Sequence, residues 1–139
     1  HALYRPDHLA VIFQQRRLTY RDFNREINRL ANALLALGIR KGDKVATILP
    51  NCLELLETYW AAAKMGAVVV PLSALLLETA LESLLQDSDA VLLVTDASFV
   101  EKIEKKLPKK TVEKVREDAA AAFARAAERG VRKVLLEPA

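Results

Sequence analysis

Lys44-Val45-Ala46-Thr47-Ile48-Leu49-Pro50 and Ala67-Val68-Val69-Val70-Pro71 are the two stretches whose reading decides the fold. Each is a short apolar run rich in β-branched residues and closed by proline, which cannot continue a strand ladder. Between them, Asn51 with Glu54 three residues later is a helix-start pattern. Leu55, Leu56, Tyr59, Trp60 and Ala63 supply an apolar face, and Gly66 stands where a left-handed residue ends a helix. A strand, a helix and a second strand at this spacing form a crossover unit, which pairs its strands in parallel. The uninterrupted run Val68 to Val70 predicts a strand buried on both faces.

The same rhythm extends in both directions. Upstream, Phe23, Ile27, Leu30, Ala31, Leu34 and Leu37 share one helical face, while Arg25, Glu26, Asn28, Arg29 and Asn32 take the other. Thr19 and Asp22 form a capping pair at its start, and Gly38 is placed to end it. Before that helix, Ala10 to Phe13 and Leu18 to Tyr20 flank the polar Gln14 to Arg17 and read as a hairpin. Downstream, Leu77, Leu81, Leu84 and Leu85 predict a further helix, Asp87-Ser88-Asp89 a turn, and Val91 to Val94 a buried strand. A helix over Ala97 to Leu107, stopped by Pro108, is expected next. An Ala-rich helix over Thr111 to Arg129 and a short strand at Val134 to Leu136 close the chain. The expected architecture is a three-layer α/β sheet, mostly parallel and flanked by helices, with an N-terminal β-hairpin beside it. Residues 1–139 are read as one domain with a compositional seam near Pro108.

Size and composition agree with this. A chain of 139 residues, 52% hydrophobic and 28% charged, carries enough apolar surface for one core and is unlike a disordered chain. The 21 Lys and Arg are spread among 18 Asp and Glu. The densest basic cluster, Lys105, Lys106, Lys109 and Lys110, has no interleaved aromatics, so a solvated loop is expected there and no nucleic-acid partner. The run without charge from Met65 to Leu77 is too short to cross a bilayer, which takes roughly 20 residues, so no transmembrane segment is expected. The opening residues His1 to His8 carry Arg5 and Asp7 and no apolar h-region, so no signal peptide is expected. The lone Cys52 excludes an internal disulfide framework and fits a reducing, cytoplasmic setting.

Sheets of this kind bind ligands beyond the carboxyl ends of their strands, here Pro50-Asn51-Cys52, Pro71-Leu72-Ser73 and Thr95-Asp96-Ala97. A phosphate cradle needs glycines there, because backbone N–H groups must approach the ligand closely. Gly38, Gly66 and Gly130 instead fall at helix ends and Gly42 in a turn, and none belongs to a phosphate-loop pattern. A nucleophilic triad needs a base near its nucleophile, and His1 and His8 lie remote from Cys52 in sequence. Cys52 is read as a small apolar residue where a helix begins rather than as a reactive thiol. His8 is read as a surface residue, Tyr59 and Trp60 as core, and Glu54 with Glu57 and Glu78 with Glu82 as solvated or capping carboxylates rather than acid–base pairs. One cysteine and two remote histidines supply no metal-ligand set. No catalytic, cofactor-binding or metal-ligating residue is assigned.

The order and wording of these segments resemble the start of the adenylate-forming, AMP-binding superfamily, in particular acyl-CoA synthetases and long-chain fatty-acid CoA ligases. Arg5-Pro6-Asp7 with Ala10 to Phe13 resembles that family's opening. Leu18-Thr19-Tyr20-Arg21-Asp22-Phe23 resembles its "LTYxEL" motif, and Asn28 to Val45 its "NxLAxxLxxLGIxKGDxV". Ile48-Leu49-Pro50-Asn51 and Ala63-Lys64-Met65-Gly66-Ala67-Val68-Val69-Val70-Pro71-Leu72 resemble the next two, with Asp87 to Ala90 and Val94 to Asp96 completing the series. The resemblance runs from about Arg5 to Leu107. It implies a parent that converts ATP and a carboxylic acid to an acyl-adenylate and pyrophosphate, then to an acyl-CoA, with Mg²⁺. The family's phosphate loop, ribose-binding Asp and C-terminal lysine match no position here, so ATP, Mg²⁺ and coenzyme A are expected of the full-length family and none of this chain. The expected partner is the rest of a synthetase or a second copy of the chain. The alternative is a self-associating or engineered α/β interaction module without catalysis, and the Ala-rich helix is a lineage insertion or an engineered ending.

Overall fold

The computed structural model describes residues 1–73, 75, 78–96 and 133–136. The helices expected over Ala97 to Leu107 and Thr111 to Arg129, the seam at Pro108 and the lysine cluster around it lie outside the described residues.

Strands β1 (Leu9–Phe13) and β2 (Arg16–Thr19) pair antiparallel as the expected hairpin. Gln14 takes the left-handed φ of 52° at its turn, a conformation that no glycine relieves. Helix α1 (Tyr20–Ala36) follows directly. Thr19 Oγ1 accepts from the Asp22 N–H at 3.1 Å and donates to Asp22 Oδ2 at 2.8 Å. This differs from the reciprocal capping box: Asp22 holds the Thr19 hydroxyl instead of its backbone N–H, because Thr19 still belongs to β2. At the other end, Gly38 N–H reaches Leu35 O at 3.0 Å and Ile39 N–H reaches Leu34 O at 3.1 Å, with Gly38 at φ 91°. This is a Schellman closure, and its hydrophobic contact is supplied by the buried Leu34 and Ile39.

Strands β3 (Lys44–Ile48), β4 (Val68–Pro71), β5 (Ala90–Asp96) and β6 (Lys133–Leu136) form one sheet in the order β4-β3-β5-β6. β3 is parallel to both β4 and β5, and β6 is antiparallel to β5. Helices α2 (Leu53–Met65) and α3 (Glu78–Asp87) make the connections between the parallel strands. The sheet is thus mixed α/β with three parallel strands and flanking helices, as expected.

Alternation along the strands assigns the faces. Val45, Leu92 and Val94 pack with Phe23, Ile27, Ala31 and Leu34 of α1 and Ala61 of α2 in one cluster, so α1 and α2 cover that face. Ala46, Ile48, Leu93 and Thr95 point the other way and are also fully buried. Burial of each large aliphatic side chain in such a core contributes about 1.5–3 kcal/mol.

Two expectations about burial are corrected. Strand β4 is not buried on both faces: among the described residues it pairs only with β3, and Val68 is 48% exposed. Val68 N–H and Leu72 N–H point to β3, donating to Asp43 O and Thr47 O at 2.8 Å. The intervening odd-numbered residues therefore direct their backbone groups outward, and Pro71 sits where its missing N–H costs the ladder nothing. The second correction concerns α2. Its buried residues are Leu53, Thr58, Ala61 and Ala62; Leu55 and Leu56 are half-buried against the core as expected, Tyr59 is half-buried, and Trp60 and Ala63 are exposed. Ala61 joins the α1 residues in the core cluster, and Leu55, Leu56 and Met65 pack against its edge.

Candidate functional site

The carboxyl ends of the three parallel strands lie level with one another, since Thr47 is in register with both Pro71 and Val94, and Ile48 with Thr95. The sheet thereby brings together the three segments that the sequence singled out. From β3 the chain leaves through Leu49 and Pro50 to the exposed Asn51 and half-buried Cys52. Cys52, not Asn51, holds the N-cap position of α2, because the exit through Pro50 uses one more residue before helical backbone begins. Cys52 packs against the edge of the core as a small apolar side chain.

From β4 the chain leaves through Leu72 to Ser73, whose Oγ accepts the Leu75 N–H at 3.2 Å in a local turn. At the end of β5, Thr95 Oγ1 donates to Ile48 O at 2.9 Å and ties the two central strands together. Asp96 follows, half-buried and in backbone register with Lys133 of β6.

The donor set at this end is an amide, a thiol, a hydroxyl held by its own turn, and a carboxylate. The segments 50–52, 71–73 and 95–96 contain no Lys, Arg or Gly. Among the described residues no three His, Cys, Asp or Glu side chains converge as a metal site. These segments therefore offer a triphosphate with its Mg²⁺ neither a cationic side chain nor a glycine cradle.

The remaining candidates are scattered. His8 is exposed in the N-terminal segment, and its carbonyl accepts the Tyr20 N–H at 2.9 Å. The His1 ring stacks at a tilt on Tyr20, 5.0 Å between centroids. Glu54 and Glu57 are half-buried on α2, while Glu78 and Glu82 lie on α3. Trp60, expected in the core, is 55% exposed. No helix among the described residues is long and apolar enough to cross a membrane.

One polar feature was missed by sequence reasoning. The Lys64 ammonium donates to both Asn24 Oδ1 and Asn28 Oδ1, bridging α2 to α1. The spacing of four between the two asparagines, which sets them on one helix face, was the available signal.

Comparison with known proteins gives a consistent result. The family model described as AMP-binding enzyme matches residues 1–136. Crotonobetaine/carnitine–CoA ligase of Shigella flexneri is 51% identical over 83 residues, covering 60% of this chain and 16% of that protein. Among solved structures, the N-terminal domain of FACL13 from Mycobacterium tuberculosis is 35% identical with a TM-score of 0.70, over 75% of this chain and 27% of that one. O-succinylbenzoate Coenzyme A Synthetase from Bacillus subtilis, in complex with ATP and magnesium ion, is 31% identical with a TM-score of 0.69, over 73% of this chain and 28% of that one. The chain thus spans 16% of the length of the curated relatives it matches. With the family model matching nearly its whole length and the same α/β core in place, the chain belongs to the AMP-binding enzyme family.

Proposed function

We propose that this chain is the first N-terminal subdomain of an AMP-forming acid–CoA ligase and that it has no turnover alone. The observation that carries the proposal is the family match over residues 1–136 beside a coverage of 16% of the ligase relatives. The parent reaction is attack of a substrate carboxylate oxygen on the α-phosphorus of ATP, with release of pyrophosphate, followed by attack of the coenzyme A thiol on the acyl carbonyl of the adenylate, with release of AMP. The acids named for the relatives, crotonobetaine or carnitine in one and O-succinylbenzoate in another, share only the carboxylate, so a carboxylic acid is the substrate class proposed. ATP, Mg²⁺ and coenzyme A are assigned to the whole ligase. No step is assigned to residues of this chain, because the strand-end segments supply neither cations nor glycines for a metal–triphosphate group.

The role proposed for these residues is architectural: they build the three parallel strands and the α1–α2 layer against which the rest of a synthetase folds. That remainder is the proposed partner, with a second copy of the chain as the alternative, and the lone Cys52 supports a reducing, cytoplasmic setting. A chimera tests the role directly. The matching N-terminal segment of the crotonobetaine/carnitine–CoA ligase is replaced by this chain's residues, and CoA-ligase activity is measured. Retained activity supports the reading, and a soluble, folded chimera without activity counts against it. Calorimetric titration of the isolated chain with ATP and Mg²⁺ is expected to give no saturable heat. Sedimentation over a range of concentrations separates a monomer from the self-associating alternative.

A further inference from the structure

We draw no further inference here: the strongest candidate, the outer edge of β4 around Val68 and Val69 together with the exposed Trp60 of α2, carries nothing because nothing in the structure shows whether a strand of a longer chain or a second copy covers it.

Discussion

Lys41 lies against the bare Cα of Gly66: a methyl group at position 66 would meet Lys41 Cγ at 2.9 Å. The neighbouring backbone is tied in the same place. Gly42 N–H donates to Gly66 O at 2.9 Å, Val68 N–H donates to Asp43 O at 2.8 Å, and Arg40 N–H donates to Asp43 Oδ2 at 2.7 Å. The turn before β3 and the end of α2 are therefore one unit, which sets the start of the β3–β4 ladder. Gly66 is needed twice, for its φ of 78° and for this close approach, whereas Gly38 at φ 91° has open space around it.

Gly66→Ala is accordingly expected to cost more than Gly38→Ala. The left-handed backbone alone costs about 1 kcal/mol for alanine, and the contact with the Lys41 stem adds to it at position 66 only. Urea unfolding of the two variants, repeated in a Lys41→Ala background, checks this. Lys41→Ala should recover part of the loss at Gly66 and none at Gly38.

The face of α1 is tested by adjacent residues. Leu34 is fully buried and Leu35 is 51% exposed, so Leu34→Ala is expected to cost about 2–5 kcal/mol and Leu35→Ala about 0.5 kcal/mol or less. Thr19→Ala, which removes the cap, should cost about 1 kcal/mol. Chemical denaturation midpoints at unchanged slope report all three.

Two threonines in the sheet centre have opposite expectations. Thr47 Oγ1 is buried without a hydrogen-bond partner among the described residues, whereas Thr95 Oγ1 donates to Ile48 O. Thr47→Val should leave stability unchanged or raise it by up to about 1 kcal/mol, because it removes a desolvated hydroxyl at constant shape. Thr95→Val should lower stability by about 1 kcal/mol. Thermal unfolding of the pair separates them by sign.

Trp60 is the only tryptophan and is exposed on α2, so its fluorescence should be quenched readily by acrylamide in the native chain. Trp60→Ser is expected to change stability by no more than about 0.5 kcal/mol. A shielded tryptophan, or a loss of several kcal/mol, would return Trp60 to the core.

Most of the fold was legible because its local signals agree. The β-branched runs at Val45 and Val68, the Thr19–Asp22 pair and the glycines at 38 and 66 all fall where the elements begin and end. The face of α2 was not legible for a specific reason. Leu53, Leu55, Leu56, Tyr59, Trp60 and Ala61 to Ala63 place apolar side chains almost all round the helix, so spacing alone selects no stripe. The choice is made by packing: Ala61 joins the α1 residues in the core cluster, and the indole of Trp60 stays exposed. Strand β4 was misjudged because an apolar run does not reveal its place in the sheet order. Pro71, at an outward-facing position, was the residue that marked an edge. The antiparallel direction of β6 was equally hidden, since the residues between β5 and β6 do not by themselves set a strand's direction. At the strand ends, the sequence located the three segments that the sheet brings level, and it supplied no ligand chemistry for them because they carry none of the glycines or cations that a phosphate requires.

The most direct measurement is ATP–pyrophosphate exchange by the purified chain, with Mg²⁺ and a panel of carboxylic acids. A subdomain that supplies only the scaffold gives no exchange above the protein-free blank with any acid. Saturable exchange that depends on one of the acids would contradict the account, because it would require this chain to hold ATP and stabilise the adenylate by itself.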